Sequence, residues 1–187
     1  LPRYKLDTSS GSVALLGQVP MGAESGPRGI IFHPTKRFAY VNCELGGSVV
    51  ACAIDDETGL KPFQTVSAYP TGYTGGGGYG KGKFWGAEMA ISKDGAYVWA
   101  VCRTHQSIGI FSVSQEDGSL TATGRAPLLP DSNARNLTLD SSGKWLLVAS
   151  QDAADGTVEV FSVGAADGQL TRTKTVASPM CADVAVF

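Results

Sequence analysis

Apolar and polar residues alternate in short runs along this chain, and the runs are separated by turns rich in glycine, serine and aspartate. Gly29-Ile30-Ile31-Phe32 passes through His33-Pro34-Thr35-Lys36-Arg37 into Phe38-Ala39-Tyr40-Val41. Glu88-Met89-Ala90-Ile91 passes through Ser92-Lys93-Asp94-Gly95 into Ala96-Tyr97-Val98-Trp99-Ala100. Asn136-Leu137-Thr138-Leu139 passes through Asp140-Ser141-Ser142-Gly143 into Lys144-Trp145-Leu146-Leu147-Val148. Apolar strand, polar turn and second apolar strand make a β-hairpin. No stretch shows the three-to-four spacing of an amphipathic helix.

A second pattern follows each hairpin. Ser48-Val49 leads to Gly59, Ser107-Ile108 to Gly118 and Thr157-Val158 to Gly168, and Tyr4–Gly11 has the same form one repeat earlier. Glycines at 11, 59, 118 and 168 mark a repeat of about fifty residues, lengthened once by an inserted loop between Pro70 and Phe84 that carries Thr74-Gly75-Gly76-Gly77-Gly78-Tyr79-Gly80. Four strands per repeat of this length predict an all-β fold, a β-propeller built from four-stranded antiparallel blades. From channel to periphery, strand a falls near 29–33, 87–91 and 135–139, and strand b near 37–43, 96–102 and 144–150. Strand c falls near 48–54, 107–113 and 157–163, and strand d near 62–68, 120–126 and 170–176. Complete blades thus cover 28–68, 86–126 and 134–176. Residues 1–22 end a preceding blade, and Asp183–Phe187, within 182–187, supplies one more innermost strand. The pattern predicts fourteen or fifteen strands and negligible helix. Phe38, Tyr97 and Trp145 stand at equivalent places in the b strands and read as core aromatics packed between blades.

Composition narrows the function. The 187 residues are 43% apolar and only 17% charged, with 24 glycines, as expected of one turn-rich β domain. A net charge of −2 argues against a nucleic-acid or membrane-surface partner, and no apolar run approaches the ~20 residues of a membrane span. Cys43, Cys52, Cys102 and Cys181 form no CxxC, and there are two histidines, so neither a metal site nor a cofactor is implied. The cysteines read as free, largely buried thiols of a reducing, cytoplasmic setting, with a disulfide framework as the alternative. Three apparent motifs lead nowhere. Gly75–Gly82 resembles a P-loop but ends in glycine where a magnesium-binding hydroxyl belongs, so it reads as a surface loop, with a flap over the site as the functional alternative. Asn136-Leu137-Thr138 is a glycosylation sequon inside an innermost strand. No Ser-His-Asp arrangement is legible.

The repeat also places the charged residues. Strands a and b are antiparallel, so the start of a and the end of b share one edge of the blade. That edge carries Arg28, Ala87 and Arg135 at the start of a, and Glu44, Arg103 and Gln151 just past b. In a ring of blades these converge on one mouth of the channel. Three arginines, a carboxylate and an amide at homologous positions point to a site for a small anion, since arginine forks bind carboxylate or phosphate bidentately. The competing interpretation is that they solvate turns or pair with one another. Glu88 and His105 lie near the same rim and are weaker candidates. His33 lies at the opposite turn, where Phe-His-Pro reads as turn chemistry.

Gly26-Pro27-Arg28, Phe32-His33-Pro34, Tyr40-Val41-Asn42-Cys43-Glu44-Leu45, Ala87-Glu88, Cys102-Arg103-Thr104, Ala134-Arg135, Asp140-Ser141-Ser142-Gly143-Lys144 and Ala149-Ser150-Gln151-Asp152, taken in order, resemble the seven-bladed lactonase family. That family contains 6-phosphogluconolactonases of the cycloisomerase type and the fungal carboxy-muconate lactonising enzymes. The resemblance implies that Arg28, Glu44 and Arg103 are catalytic, and that Arg135, Gln151, Glu88 and His105 lie about the substrate. The chain departs from the family pattern at Gly29, where histidine is frequent, and at Cys43, where asparagine is usual. The function implied is hydrolysis of a sugar-acid lactone, foremost 6-phosphogluconolactone, with an anionic lactone or its open-chain acid as ligand. The alternatives are a carboxy-muconate cyclase and a non-catalytic propeller that binds a partner. The pattern opens at strand c of one blade and closes at strand a of another. Completing a seven-bladed ring therefore calls for about 150 or more further residues, from the same or another chain.

Overall fold

The computed structural model describes residues 1–75, 84–151 and 156–186. Fourteen strands and one short 3-10 turn make up its regular structure among those residues. A two-stranded sheet comes first, β1 (Pro2–Leu6) against β2 (Val13–Gln18). The first full blade is β3 (Pro27–Phe32), β4 (Phe38–Cys43), β5 (Ser48–Asp55) and β6 (Gly59–Ser67). The second is β7 (Gly86–Ile91), β8 (Tyr97–Cys102), β9 (Ser107–Val113) and β10 (Leu120–Pro127). The third is β11 (Ala134–Leu139), β12 (Trp145–Ser150), β13 (Thr157–Val163) and β14 (Leu170–Ala177). Each blade is a meander whose strands lie in chain order, every pair antiparallel. The innermost strand β7 lies beside both β3 and β11, so the blades are ranged around a common axis.

Period-2 alternation explains why the blades stack. On β8, Val98, Ala100 and Cys102 face the first blade, where they meet Tyr40, Val49 and Ala51. Trp99 and Val101 face the third, where they meet Leu137, Leu146, Val148 and Phe161. A third cluster packs Val19 and Met21 against Val41, Cys43, Val50 and Cys52 of the first blade. The two central strands of the middle blade, β8 and β9, are buried along almost their whole length because both faces are covered.

The recurring glycine is the keystone of each seam. Gly118 (φ 75°) and Gly168 (φ 66°) close the turns between the two outer strands in the left-handed region, where a side chain is strained. Each also receives an aromatic ring from the preceding blade: a Cβ on Gly118 would lie 2.6 Å from the ring of Phe38, and one on Gly168 would lie 2.5 Å from that of Tyr97. Their carbonyls accept hydrogen bonds from the Tyr40 hydroxyl (3.0 Å) and the Trp99 indole N–H (2.9 Å).

Two expectations need correction. Trp145, equivalent to Phe38 and Tyr97, is 42% exposed, because among the described residues no following blade presents a glycine turn to it. Residues 182–186 form no strand, and Phe187 lies outside the described residues. A strand exists only where a neighbour completes its ladder, and among the described residues none is hydrogen-bonded there.

Candidate functional site

At the rim, each blade turns from its second strand towards its third, and one backbone hydrogen bond recurs. The N–H of Glu44 donates to Gly26 O (2.8 Å), that of Arg103 to Trp85 O (2.8 Å), and that of Gln151 to Asn133 O (2.9 Å). Glu44, Arg103 and Gln151 are therefore structurally equivalent. The innermost strands meet the same rim through bulges. The register of β3 slips between Pro27 and Gly29, that of β11 between Ala134 and Asn136, and that of β7 between Gly86 and Met89. Arg28, Arg135 and the pair Ala87-Glu88 are thus the inserted residues, re-aimed by the bulge out of strict alternation.

The seam between the first and second blades gathers four of these charges. Arg103 Nη2 donates to Glu44 Oε1, the Arg28 Nε lies 3.9 Å from Glu44 Oε2, and Arg28 Nη1 lies 3.3 Å from Glu88 Oε2. The result is a chain of alternating sign, Arg103–Glu44–Arg28–Glu88. The departure at position 29 makes room for it, since a Cβ on Gly29 would sit 3.0 Å from Glu88 Oε1. One backbone and one side-chain hydrogen bond hold the seam shut: Gly86 N–H donates to Glu44 O (3.0 Å), and the Asn42 side-chain amide donates to Ala87 O.

Exposure separates the two arginines. The Arg103 side chain is 2% exposed, whereas those of Arg28, Glu44 and Glu88 are 26–31% exposed. Arg103 lies with its guanidinium 4.8 Å from the centre of the Trp85 ring, and Nη2 also donates to Gly86 O (3.0 Å). Burial holds its pKa below the usual arginine value, and the positive charges of Arg135 and Arg28 add to that effect, while Glu44 opposes it. Arg28, Glu44 and Glu88 are the members open to solvent, and Arg103 is the buried one.

Beneath Arg103, the 3-10 turn Arg103–His105 is fixed by residues that pattern analysis passed over. Tyr73 donates its hydroxyl to Thr104 O (2.8 Å), Thr104 Oγ1 donates to the Tyr69 hydroxyl (3.1 Å), and the Tyr69 and Tyr73 rings stack 5.0 Å apart. Burial pushes the Tyr69 hydroxyl up to about 12. The only signal in the chain is the density of aromatics flanking the insertion: Tyr69, Tyr73, Phe84 and Trp85. The centre of that insertion, residues 76–83, lies outside the described residues, so the flap expected of it does too.

The remaining candidates divide. Arg135 is half-buried, and its side chain makes no hydrogen bond or ion pair among the described residues. Gln151 joins the rim through its backbone, accepting from the Asn133 amide (3.0 Å). His105 is turned aside: its Nδ1 shares a hydrogen bond with Ser107 Oγ (2.8 Å), and its ring meets Tyr73 edge-on at 5.1 Å. Burial, with Arg125 nearby, keeps its pKa low. It makes no hydrogen bond to the four-charge chain, because the 3-10 turn carries it round towards the outer strands, where Arg125 reaches Ser107. Cys43, Cys52 and Cys102 are buried free thiols and Cys181 a half-exposed one, and burial pushes Cys52 and Cys102 up to about 11, which keeps those two protonated. Among the described residues no group of His, Cys, Asp and Glu side chains is arranged to hold a metal ion.

Comparison with known proteins places this geometry. The sequence pattern of the family described as "Lactonase, 7-bladed beta-propeller" matches residues 1–186. The chain is 33% identical over 153 residues to a 6-phosphogluconolactonase of Erwinia tasmaniensis, covering 82% of this chain and 43% of that protein. It is 32% identical over 149 residues to one of Pectobacterium carotovorum, covering 79% and 42%. It thus spans somewhat under half the length of these relatives. Among solved structures, a proposed 6-phosphogluconolactonase from Bacteroides uniformis superposes with a TM-score of 0.81 at 29% identity, over 97% of this chain and 50% of that one. The periplasmic gluconolactonase of Pseudomonas aeruginosa superposes with a TM-score of 0.82 at 24% identity, over 96% and 48%, and speaks for the fold alone.

Proposed function

Because this chain belongs to the seven-bladed β-propeller lactonase family, we propose that its four-charge seam takes part in hydrolysing a sugar-acid lactone, foremost 6-phosphogluconolactone. The observation that carries this reading is the placement of Glu44: a half-exposed carboxylate held on one side by buried Arg103 and approached on the other by Arg28. The relatives named 6-phosphogluconolactonase, at 32–33% identity, support the choice of substrate.

In this reading Glu44 takes a proton from water as the water oxygen attacks the ring carbonyl carbon. Arg28, open to the mouth, donates to the carbonyl oxygen as it gains negative charge. The ring C–O bond then breaks, the departing ring oxygen recovers the proton, and the product is the open-chain hydroxy acid. Arg103 touches none of the reacting atoms; it is a positioning residue that fixes the Glu44 carboxylate. Glu88 does the same for Arg28. His105 has no part in this scheme.

The test uses the intact protein with 6-phosphogluconolactone. Glu44→Gln retains an oxygen that accepts Arg103's hydrogen bond but removes the base, so kcat should fall about 100-fold or more. Turnover within threefold of wild type would remove Glu44 from the chemistry. Turnover of a carboxy-muconate in place of the lactone would reassign the same residues to intramolecular addition of a carboxylate to an alkene. Turnover of neither would leave a binding module.

A further inference from the structure

We propose that Arg135 selects substrates bearing a phosphate monoester remote from the scissile ester; this rests on the lactonase reading above. The charges on the rim decide it. Arg28 and Arg103 are each matched by carboxylates, Arg103 by Glu44 and Arg28 by Glu44 and Glu88. Two positive and two negative charges leave that chain neutral. Arg135 is the fifth charge at the mouth and has no carboxylate of its own among the described residues.

Its position is built, not incidental. Arg135 is the inserted residue of the β11 bulge, the structural counterpart of Arg28 in the β3 bulge. The innermost strands β7 and β11 are neighbours, so Arg135 stands one blade along from Arg103, the partner of the reacting carboxylate. Its charge is felt there, since it disfavours the protonated form of Arg103. A half-buried guanidinium with no carboxylate partner among the described residues, and with the charge of Arg103 acting on it, is an unfavourable arrangement for the empty protein. An arriving dianion reverses the sign of that term, and the guanidinium fork matches two phosphate oxygens at once. The neutral lactone ester needs no such group, so the cation serves the distal end of the substrate.

The experiment compares 6-phosphogluconolactone with unphosphorylated gluconolactone on the intact protein, wild type and Arg135→Ala. The ratio of kcat/KM for the two substrates should fall about 10- to 100-fold in the variant, chiefly through KM for the phosphorylated one, as expected for a lost charge-assisted contact. Arg135→Lys, a point charge without the fork, should lie between. A ratio within twofold of wild type overturns the proposal, whatever happens to absolute activity. If wild type turns over neither lactone, the lactonase reading fails, and calorimetry still decides the role of Arg135. 6-Phosphogluconate should then bind at least tenfold more weakly to Arg135→Ala than to wild type, and equal binding overturns the proposal independently of catalysis.

Discussion

Replacing Arg103 by alanine should cost stability, although the residue is charged and follows directly on a strand at the rim. The change removes Nη2 from both Glu44 and Gly86 O, and it removes the guanidinium from the face of Trp85. A hydrogen bond from a charged donor contributes about 1.5–3 kcal/mol net. A desolvated cation–π contact adds about 0.5–2 kcal/mol. Against these stand the burial of the charge and its repulsion by Arg135 and Arg28, both of which alanine relieves. Glu44, at 30% side-chain exposure, recovers water when its partner leaves, so the roughly 3–5 kcal/mol of breaking a fully buried pair is an upper bound. The balance is a loss of ~3 kcal/mol. For a domain of this size that lowers the melting temperature by roughly 6–12 °C. Thermal unfolding followed by circular dichroism measures it directly. A shift of less than about 2 °C would mean that Arg103 is not tied into the seam as described.

The seam glycines and His33 give further tests. Gly118→Ala should destabilise by roughly 2–4 kcal/mol, combining left-handed strain with a Cβ driven into the Phe38 ring. Gly11→Ala has a similar φ (71°) with nothing within 4 Å, so it should show the backbone part alone, and equal losses in denaturant titrations would contradict the packing role. His33 is 5% exposed, and its Nδ1 accepts the N–H groups of Thr35 (3.2 Å) and Lys36 (3.1 Å). Burial foremost, and the charge of Lys36, hold its pKa below the usual histidine value of 6.5. The unfolded chain therefore takes up a proton that the fold refuses, so stability is full above that value and is lost as pH falls below it. His33→Asn keeps an acceptor for the turn and should flatten the fall in stability between about pH 7 and 5. Parallel curves for variant and wild type would exclude His33 as a source of the slope.

The amino-acid sequence by itself determined the blade. Alternating apolar runs, polar turns and glycines at a steady interval dictate which strands pair and in what order, because hairpins are local and their period of two is written in adjacent residues. It also brought Arg28, Glu44, Arg103 and Arg135 to one rim, since antiparallel geometry follows from the same register. Which charges pair was decided only in three dimensions. Arg103 and Glu44 belong to different blades, and neither strand pattern says how the two are ranged about the axis. Bulges at Arg28, Glu88 and Arg135 shift the register within one strand, a change that a two-residue period cannot display. Burial of Arg103 depends on Trp85, and the turning aside of His105 depends on a single 3-10 turn. Trp145 and residues 183–186 show the converse: their apolar character is legible locally, but cover and ladder partners are supplied by neighbouring structure, and the described chain offers them none.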